Sequence, residues 1–216
     1  MDNKKIGILG GTFNPIHKGH LKAARTVIQE FYLDQILFIP SYIPPHKKNS
    51  FIAPPRDRYN MVEIALNRYP DLIPSRIEID AKEKSYSIIT LHKIKKSNPE
   101  ARIFFILGID AFLEIDTWKD YKELLDNYSF IVISRPGFNL KEAEHVVEEK
   151  HKRRMIEIRS LIKKEKMENY DFFLFHMDSL DIASSEIRKR VKKGTSIHGM
   201  VPKKVEKYIK ENKLYS

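Results

Sequence analysis

Residues 10–20 of the 216-residue chain read GGTFNPIHKGH, a crowding of glycine, proline and two histidines. His17 and His20 stand at i and i+3, so at the start of a helix they share a face. Gly10 and Gly11 follow the strand-like run KKIGIL and would let a phosphate chain approach the main chain closely. Backbone N–H groups in such a turn and at a helix N-terminus both attract anions. An imidazole there can donate to phosphate oxygens, and bound phosphate favours its protonated form. The stretch lacks the G-x-G-x-x-G order of a dinucleotide fingerprint. Two histidines without a nearby third ligand make an incomplete metal site, which a distant carboxylate could finish; no protein-held metal is expected.

A second group lies far downstream. In DIASSEIRKRVKKG (181–194), Ser184, Ser185 and Arg188 combine hydroxyls, helix-start amides and a guanidinium, which can all meet one phosphate. Other candidates are scattered between. Asp110 follows Gly108 at the end of an apolar run, where a carboxylate can accept from ribose hydroxyls. Trp118, the only tryptophan, offers an indole face to an electron-poor ring. Each has a plainer alternative. Trp118 suits a core, Asp110 and the serines suit helix caps, and Lys47 and Arg135 suit solvated loops.

Strands and helices alternate around these groups. Strands are expected over 4–10, 35–41, 76–79, 102–108, 128–134 and 170–179. Helices are expected over 20–32, with Leu21, Ala24, Ile28 and Phe31 inward, and over 56–69, with Tyr59, Val62, Leu66 and Tyr69 inward. Further helices are expected over 87–96, 184–193 and 202–212. RIFFILG (102–108) is apolar throughout, as in a parallel strand covered on both faces. The order predicts an α/β fold with a doubly wound open parallel sheet and C-terminal helices, whose ligands bind beyond the carboxyl ends of the strands. Residues 1–216 are expected to form a single domain. Within it, 141–170 is a charged helical insertion and 181–216 a C-terminal helical subregion.

Composition narrows the chemistry. The chain has 42% hydrophobic residues, enough for a substantial core, and no cysteine, which excludes disulfides, thiolate catalysis and zinc-thiolate sites. Lys and Arg total 39 against 29 Asp and Glu, a formal charge of +10 that favours polyanionic partners. No apolar run is long enough to span a bilayer, and the start is too short for a signal peptide, so a reducing cytoplasm is expected.

GGTFNPIHKGH resembles the signature of the nucleotidyltransferase superfamily that carries a histidine-x-glycine-histidine motif. Residues 181–194 resemble the C-terminal ISSTxIR signature of the same superfamily. Four middle stretches are similar to the bacterial-type nicotinate-nucleotide adenylyltransferases: PPHKK (44–48), KSYSIITL (84–91), FFILGIDAFLEIDTWKDYKELL (104–125) and SRPGF (134–138). The tail 200–215 is in keeping. The resemblance implies a Rossmann-like nucleotidyltransferase fold and transfer of AMP from ATP to nicotinate mononucleotide. It implies that His17, His20 and Arg188 are catalytic. Gly10, Gly11, Thr12, Phe13, Gly108, Asp110, Ser134, Arg135, Ser184 and Ser185 would join them in binding ATP. Lys47, Tyr86, Ser87, Asp110 and Trp118 would bind the mononucleotide. Mg²⁺ would arrive with ATP, the partners would be small molecules, neither nucleic acid nor membrane is expected, and a homo-oligomer is compatible.

The chain departs from the pattern at Asn14, where aspartate is commonest, at Ala183, at Ile109 and in HGMVP (198–202). The rivals are an adenylyltransferase for nicotinamide mononucleotide or phosphopantetheine, and a non-catalytic basic nucleic-acid-binding protein of the same fold.

Overall fold

The apolar runs become the strands of one sheet. The computed structural model describes residues 3–44, 52–178 and 180–216. Its strands are β1 (Lys5–Gly11), β2 (Gln35–Pro40), β3 (Leu72–Pro74), β4 (Arg102–Gly108), β5 (Ser129–Ile133), β6 (Met155–Ile158) and β7 (Phe172–Phe175). They follow the order β3-β2-β1-β4-β5-β7-β6. The pairings β1–β4, β4–β5, β5–β7 and β6–β7 are parallel. Both faces of the middle strands are buried, with Phe104, Phe130, Ile131, Val132 and Phe173 fully inaccessible. Such runs are what a parallel sheet covered on both sides requires.

The helices are α1 (Lys18–Glu30), α2 (Pro55–Leu66), α3 (Ile77–Ala81), α4 (Ser87–Ser97), α5 (Ile109–Phe112), α6 (Tyr121–Asn127), α7 (Glu149–Lys152), α8 (Ser184–Lys192) and α9 (Lys203–Glu211). Alternation of these elements gives the doubly wound α/β architecture expected from the sequence, with two helices closing the chain. Among the described residues no helix is long and apolar enough to cross a membrane.

Two compact units are interleaved along the chain. One comprises Met1–Leu9, Arg25–Ile36 and Tyr86–Ser179; the other comprises Gly10–Ala24, Leu37–Ser85 and Leu180–Ser216. The first holds the parallel pairings from β1 to β6, packed by aromatic contacts such as Phe31 against Phe173 and Phe175. In the second, α2 and α9 are joined by the Tyr208 hydroxyl, which donates to Asp57 at 2.8 Å and accepts from Asn60 at 2.9 Å.

Four expectations need correction. Residues 76–79 are not a strand: β3 is Leu72–Pro74 and α3 begins at Ile77. Ile77 and Ile79 mimic a strand's period of two, but the Asp80 amide donates to the Arg76 carbonyl at 2.8 Å and the side chains pair at 3.1 Å, closing a helical turn. On α1 it is Val27, not Ile28, that is fully buried with Leu21, Ala24 and Phe31. Tyr69 lies beyond the end of α2. The charged segment 141–170 is not the helical insertion expected. It contains β6, whose register runs from Met155↔Phe172 to Ile158↔Phe175, flanked by 3₁₀ turns and the single turn α7. Charge hides this strand because β6 pairs only with β7, at the sheet edge.

Candidate active site

The histidine motif begins where β1 ends. After Gly11, Phe13 adopts a positive φ of 46°, which turns the chain sharply, and its buried ring meets His20 edge-on at 5.1 Å. The peptide before Pro15 is cis. The carbonyl of His17 accepts the first helical bonds, from the amides of His20 (3.1 Å) and Leu21 (3.4 Å). His17 is therefore the residue from which α1 starts.

His20 reaches back to that start. Its Nδ1 accepts from the His17 amide at 3.2 Å, the role a glutamate plays in a capping box. With Nδ1 accepting that bond, Nε2 is the ring nitrogen that carries the N–H of the neutral imidazole. The two rings stack at 3.7 Å with 29° between planes. Gly19 makes this stack possible, because a Cβ there would lie 2.9 Å from His17 Nδ1.

Arg188 and the serines come to the same turn from α8. The Arg188 Nη1 donates to the Asn14 carbonyl at 2.8 Å, and the Ser184 hydroxyl donates to the Pro15 carbonyl at 3.0 Å. Ser184 is thus not the helix cap expected: Ala183 holds that position without a side-chain bond, since the Ser184 hydroxyl is drawn to Pro15. Ser185 is exposed on the first turn of α8. Within this unit, then, Gly10, Gly11, Thr12, Phe13, His17, His20, Ser184 and Arg188 are brought together around residues 12–17.

Asn14 stood out in the sequence only as a departure from the family pattern, and two further supports of this turn, Tyr215 and Arg58, carried no sequence signal as such. The buried Asn14 side chain accepts from the Ala53 amide at 3.0 Å and from the Tyr215 hydroxyl at 2.8 Å. Arg58 is fully buried and donates to three carbonyls, Thr12 (2.8 Å), Ala53 (2.9 Å) and Tyr42 (3.0 Å). Burial pushes its pKa down to about 10, against the opposing influence of Tyr215 and Glu78. The glycine between the histidines was the one visible hint of close packing there. Nothing about an arginine in RDRY distinguishes a buried fork from a solvated one.

The other unit holds the remaining candidates. At the end of β4, Asp110 pairs with Arg135 at 3.6 Å. Gly108 leaves room for that pair, because a Cβ there would collide with the Asp110 carboxylate and sit 2.8 Å from Arg135 Nε. Ser134 is occupied structurally: its hydroxyl donates to the Met177 carbonyl at 3.2 Å and accepts from the Met177 amide at 3.1 Å. Tyr86 precedes α4 in an extended conformation, and its carbonyl accepts from the amides of Ile89 (3.1 Å) and Thr90 (3.2 Å), so Ser87 opens the helix. Lys119 Nζ lies 5.1 Å from the Tyr86 ring centroid. Trp118 is half-buried, edge-on to Phe105 at 6.0 Å. Lys47 lies outside the described residues.

The turn after β1, on which Ser184 and Arg188 converge, lies at the carboxyl end of a strand of a doubly wound sheet, where such folds bind ligands. The family model described as cytidylyltransferase-like matches residues 8–190, and the chain belongs to that family. Its relatives narrow this to the nicotinate-nucleotide adenylyltransferases. A probable nicotinate-nucleotide adenylyltransferase of Desulfatibacillum aliphaticivorans is 40% identical, covering 98% of this chain and 99% of that protein. One from Clostridium tetani is 35% identical, again covering 98% and 99%. The fold is shared with nicotinic acid mononucleotide adenylyltransferase of Plasmodium falciparum complexed with NaAD, at TM-score 0.74 and 21% identity, covering 98% of this chain and 97% of that one.

Proposed function

We propose that the protein joins ATP and nicotinate mononucleotide to give nicotinate adenine dinucleotide and pyrophosphate, a step of NAD biosynthesis. The observation that carries this reading is the convergence of His17, His20, Ser184 and Arg188 on the one turn that follows β1. Relatives at 35–40% identity over almost the whole chain carry the same activity in their names.

The reaction asks little covalent chemistry of the protein. The 5′-phosphate of the mononucleotide is largely dianionic at neutral pH, with a second pKa of about 6. One of its oxygens attacks the α-phosphorus of ATP, the bond to the β-phosphate bridging oxygen breaks, and pyrophosphate leaves. No general base or protein-bound intermediate is needed. What remains is alignment and stabilisation of charge on phosphate oxygens. His20 serves through Nε2–H, His17 stacks against it, and Arg188 binds the triphosphate with Ser184 and Ser185 beside it. Gly10, Gly11, Thr12 and Phe13 shape the turn.

Gly108, Asp110, Ser134 and Arg135 belong to the nucleoside side of ATP, Asp110 as a ribose contact. Tyr86 and Ser87 offer the start of α4 to the nicotinate carboxylate, Trp118 stacks on the pyridine ring, and Lys47 meets phosphate. Among the described residues no group of three or more His, Asp or Glu could hold a metal. We place Mg²⁺ with ATP, as part of the substrate Mg·ATP. We read the chain as one catalytic domain, supported by a family match that runs through both units. We assign it to the cytoplasm; self-association is compatible with this reading.

The test is pyrophosphate release from ATP with nicotinate mononucleotide, nicotinamide mononucleotide or phosphopantetheine. Release is expected fastest with nicotinate mononucleotide. Release only with phosphopantetheine would refute the substrate, and silence with all three, alongside salt-dependent nucleic-acid binding, would favour a binding protein.

A further inference from the structure

We propose that Tyr215 is a positioning residue of the phosphate site, setting the pose of Arg188 through Asn14. The inference rests on Arg188 being the triphosphate ligand. Tyr215 lies in the segment beyond α9, 201 residues from Asn14, yet its hydroxyl donates to Asn14 Oδ1 at 2.8 Å. The same oxygen accepts from the Ala53 amide at 3.0 Å. Two donors from different segments thus hold the Asn14 side chain, and its backbone carbonyl in turn receives Arg188 Nη1 at 2.8 Å. A guanidinium is a rigid planar fork, so fixing one N–H fixes the direction of the others. Release of the Tyr215 bond loosens the Asn14 side chain and lets that fork swing.

The local backbone agrees. Tyr215 adopts φ 66° and Lys213 φ 49°, a left-handed region that non-glycine residues occupy at a cost and keep only when contacts over-determine them. The turn is closed by the Leu214 amide, which donates to the Ile209 carbonyl at 3.0 Å. Burial raises the Tyr215 pKa, and nearby Arg188 and Arg58 oppose that rise without cancelling it. The phenol therefore stays a donor throughout the neutral range.

The test uses the full chain with Tyr215→Phe, which removes the hydroxyl and little else. Binding of a non-hydrolysable ATP analogue is measured by calorimetry, and kcat/KM for ATP is measured in wild type, Y215F, R188A and the double variant. Y215F is expected to weaken analogue binding and raise KM for ATP roughly fivefold to tenfold, the worth of one lost hydrogen bond. KM for nicotinate mononucleotide should be unchanged and the melting temperature within about 3 °C. In the R188A background the Y215F effect should vanish, because there is no fork left to aim. Wild-type affinity in Y215F, or an equal loss with and without Arg188, would overturn the proposal. An analogue that fails to bind wild type would instead overturn the adenylyl-transfer reading itself.

Discussion

The guanidinium of Arg188 donates to the main-chain oxygen of Asn14 at 2.8 Å, across 174 positions of sequence. That bond places the α8 cation beside the turn from which His17 and His20 rise. The polyphosphate reading depends on this meeting of two distant motifs.

His20 is both a cap and a donor, and the two roles can be separated. His20→Ala removes both; His20→Gln retains a side chain able to reach the His17 amide. Turnover should fall about a hundredfold or more in H20A if Nε2–H stabilises phosphate charge. Stopped-flow or steady-state pyrophosphate release checks this, and a near-normal rate in H20A would make the imidazole a cap alone.

Gly19→Ala sets helix propensity against packing. Alanine is better than glycine inside a helix by about 1 kcal/mol, yet its Cβ would press on the His17 ring at 2.9 Å. Thermal stability should therefore change little while kcat/KM falls roughly tenfold to a hundredfold, because a displaced imidazole misaligns the site. A G19A enzyme with wild-type kinetics would show that the stacked pair has slack.

Gly108→Ala should act on nucleotide affinity without a backbone penalty. The residue sits at φ −75°, which alanine adopts freely. The added methyl would meet the Asp110–Arg135 pair and force it apart. KM for ATP should rise about tenfold with an unfolding midpoint near wild type; an unaltered KM would remove Asp110 from the ribose.

Arg58→Met tests the buried fork. Three carbonyls lose their donor in an apolar setting, a loss of about 3 kcal/mol or more. Urea unfolding should show a lower midpoint, and Arg58→Lys should recover part of it because an ammonium can still reach some of the three oxygens. Equal stability of wild type and R58M would mean that the turn holds itself.

Asp126 links folding to acid. Hydrogen bonds from Lys150 (2.7 Å) and His151 (2.8 Å) hold its pKa below the ordinary carboxylate value. A depressed acid contributes stability that is present above the unfolded pKa and lost as pH falls through the folded one. Asp126→Asn should thus cost about 1 kcal/mol or less at pH 7, given its exposure, and the difference from wild type should begin to shrink as pH falls through the ordinary carboxylate value and close below the depressed folded one. A gap that does not change with pH across the acid range would rule out the charge as its source.

Much of the site was legible because its chemistry is local. GGTFNPIHKGH carries turn, helix start and imidazoles in one stretch, and the i, i+3 spacing became the geometry expected, whereas Gly10 and Gly11 end β1 and the turn itself is made by the residues after them. The sheet was legible for a similar reason: RIFFILG and YSFIVIS are apolar without a break. β6 was not, since charge surrounds an edge strand that only β7 completes, and α3 was misread because two isoleucines fit either period.

By itself the sequence determined the chemical inventory and the alternation of elements, since composition, turn residues and hydrophobic period are properties of neighbours along the chain. Only the tertiary structure decided which polar groups are spent in holding the site and which are left to act. Asn14 is claimed by Ala53 and Tyr215, Arg58 by three carbonyls, and Ser184 by Pro15. Hydrogen-bond partners separated by up to 201 residues are selected by packing, and no local pattern records that choice.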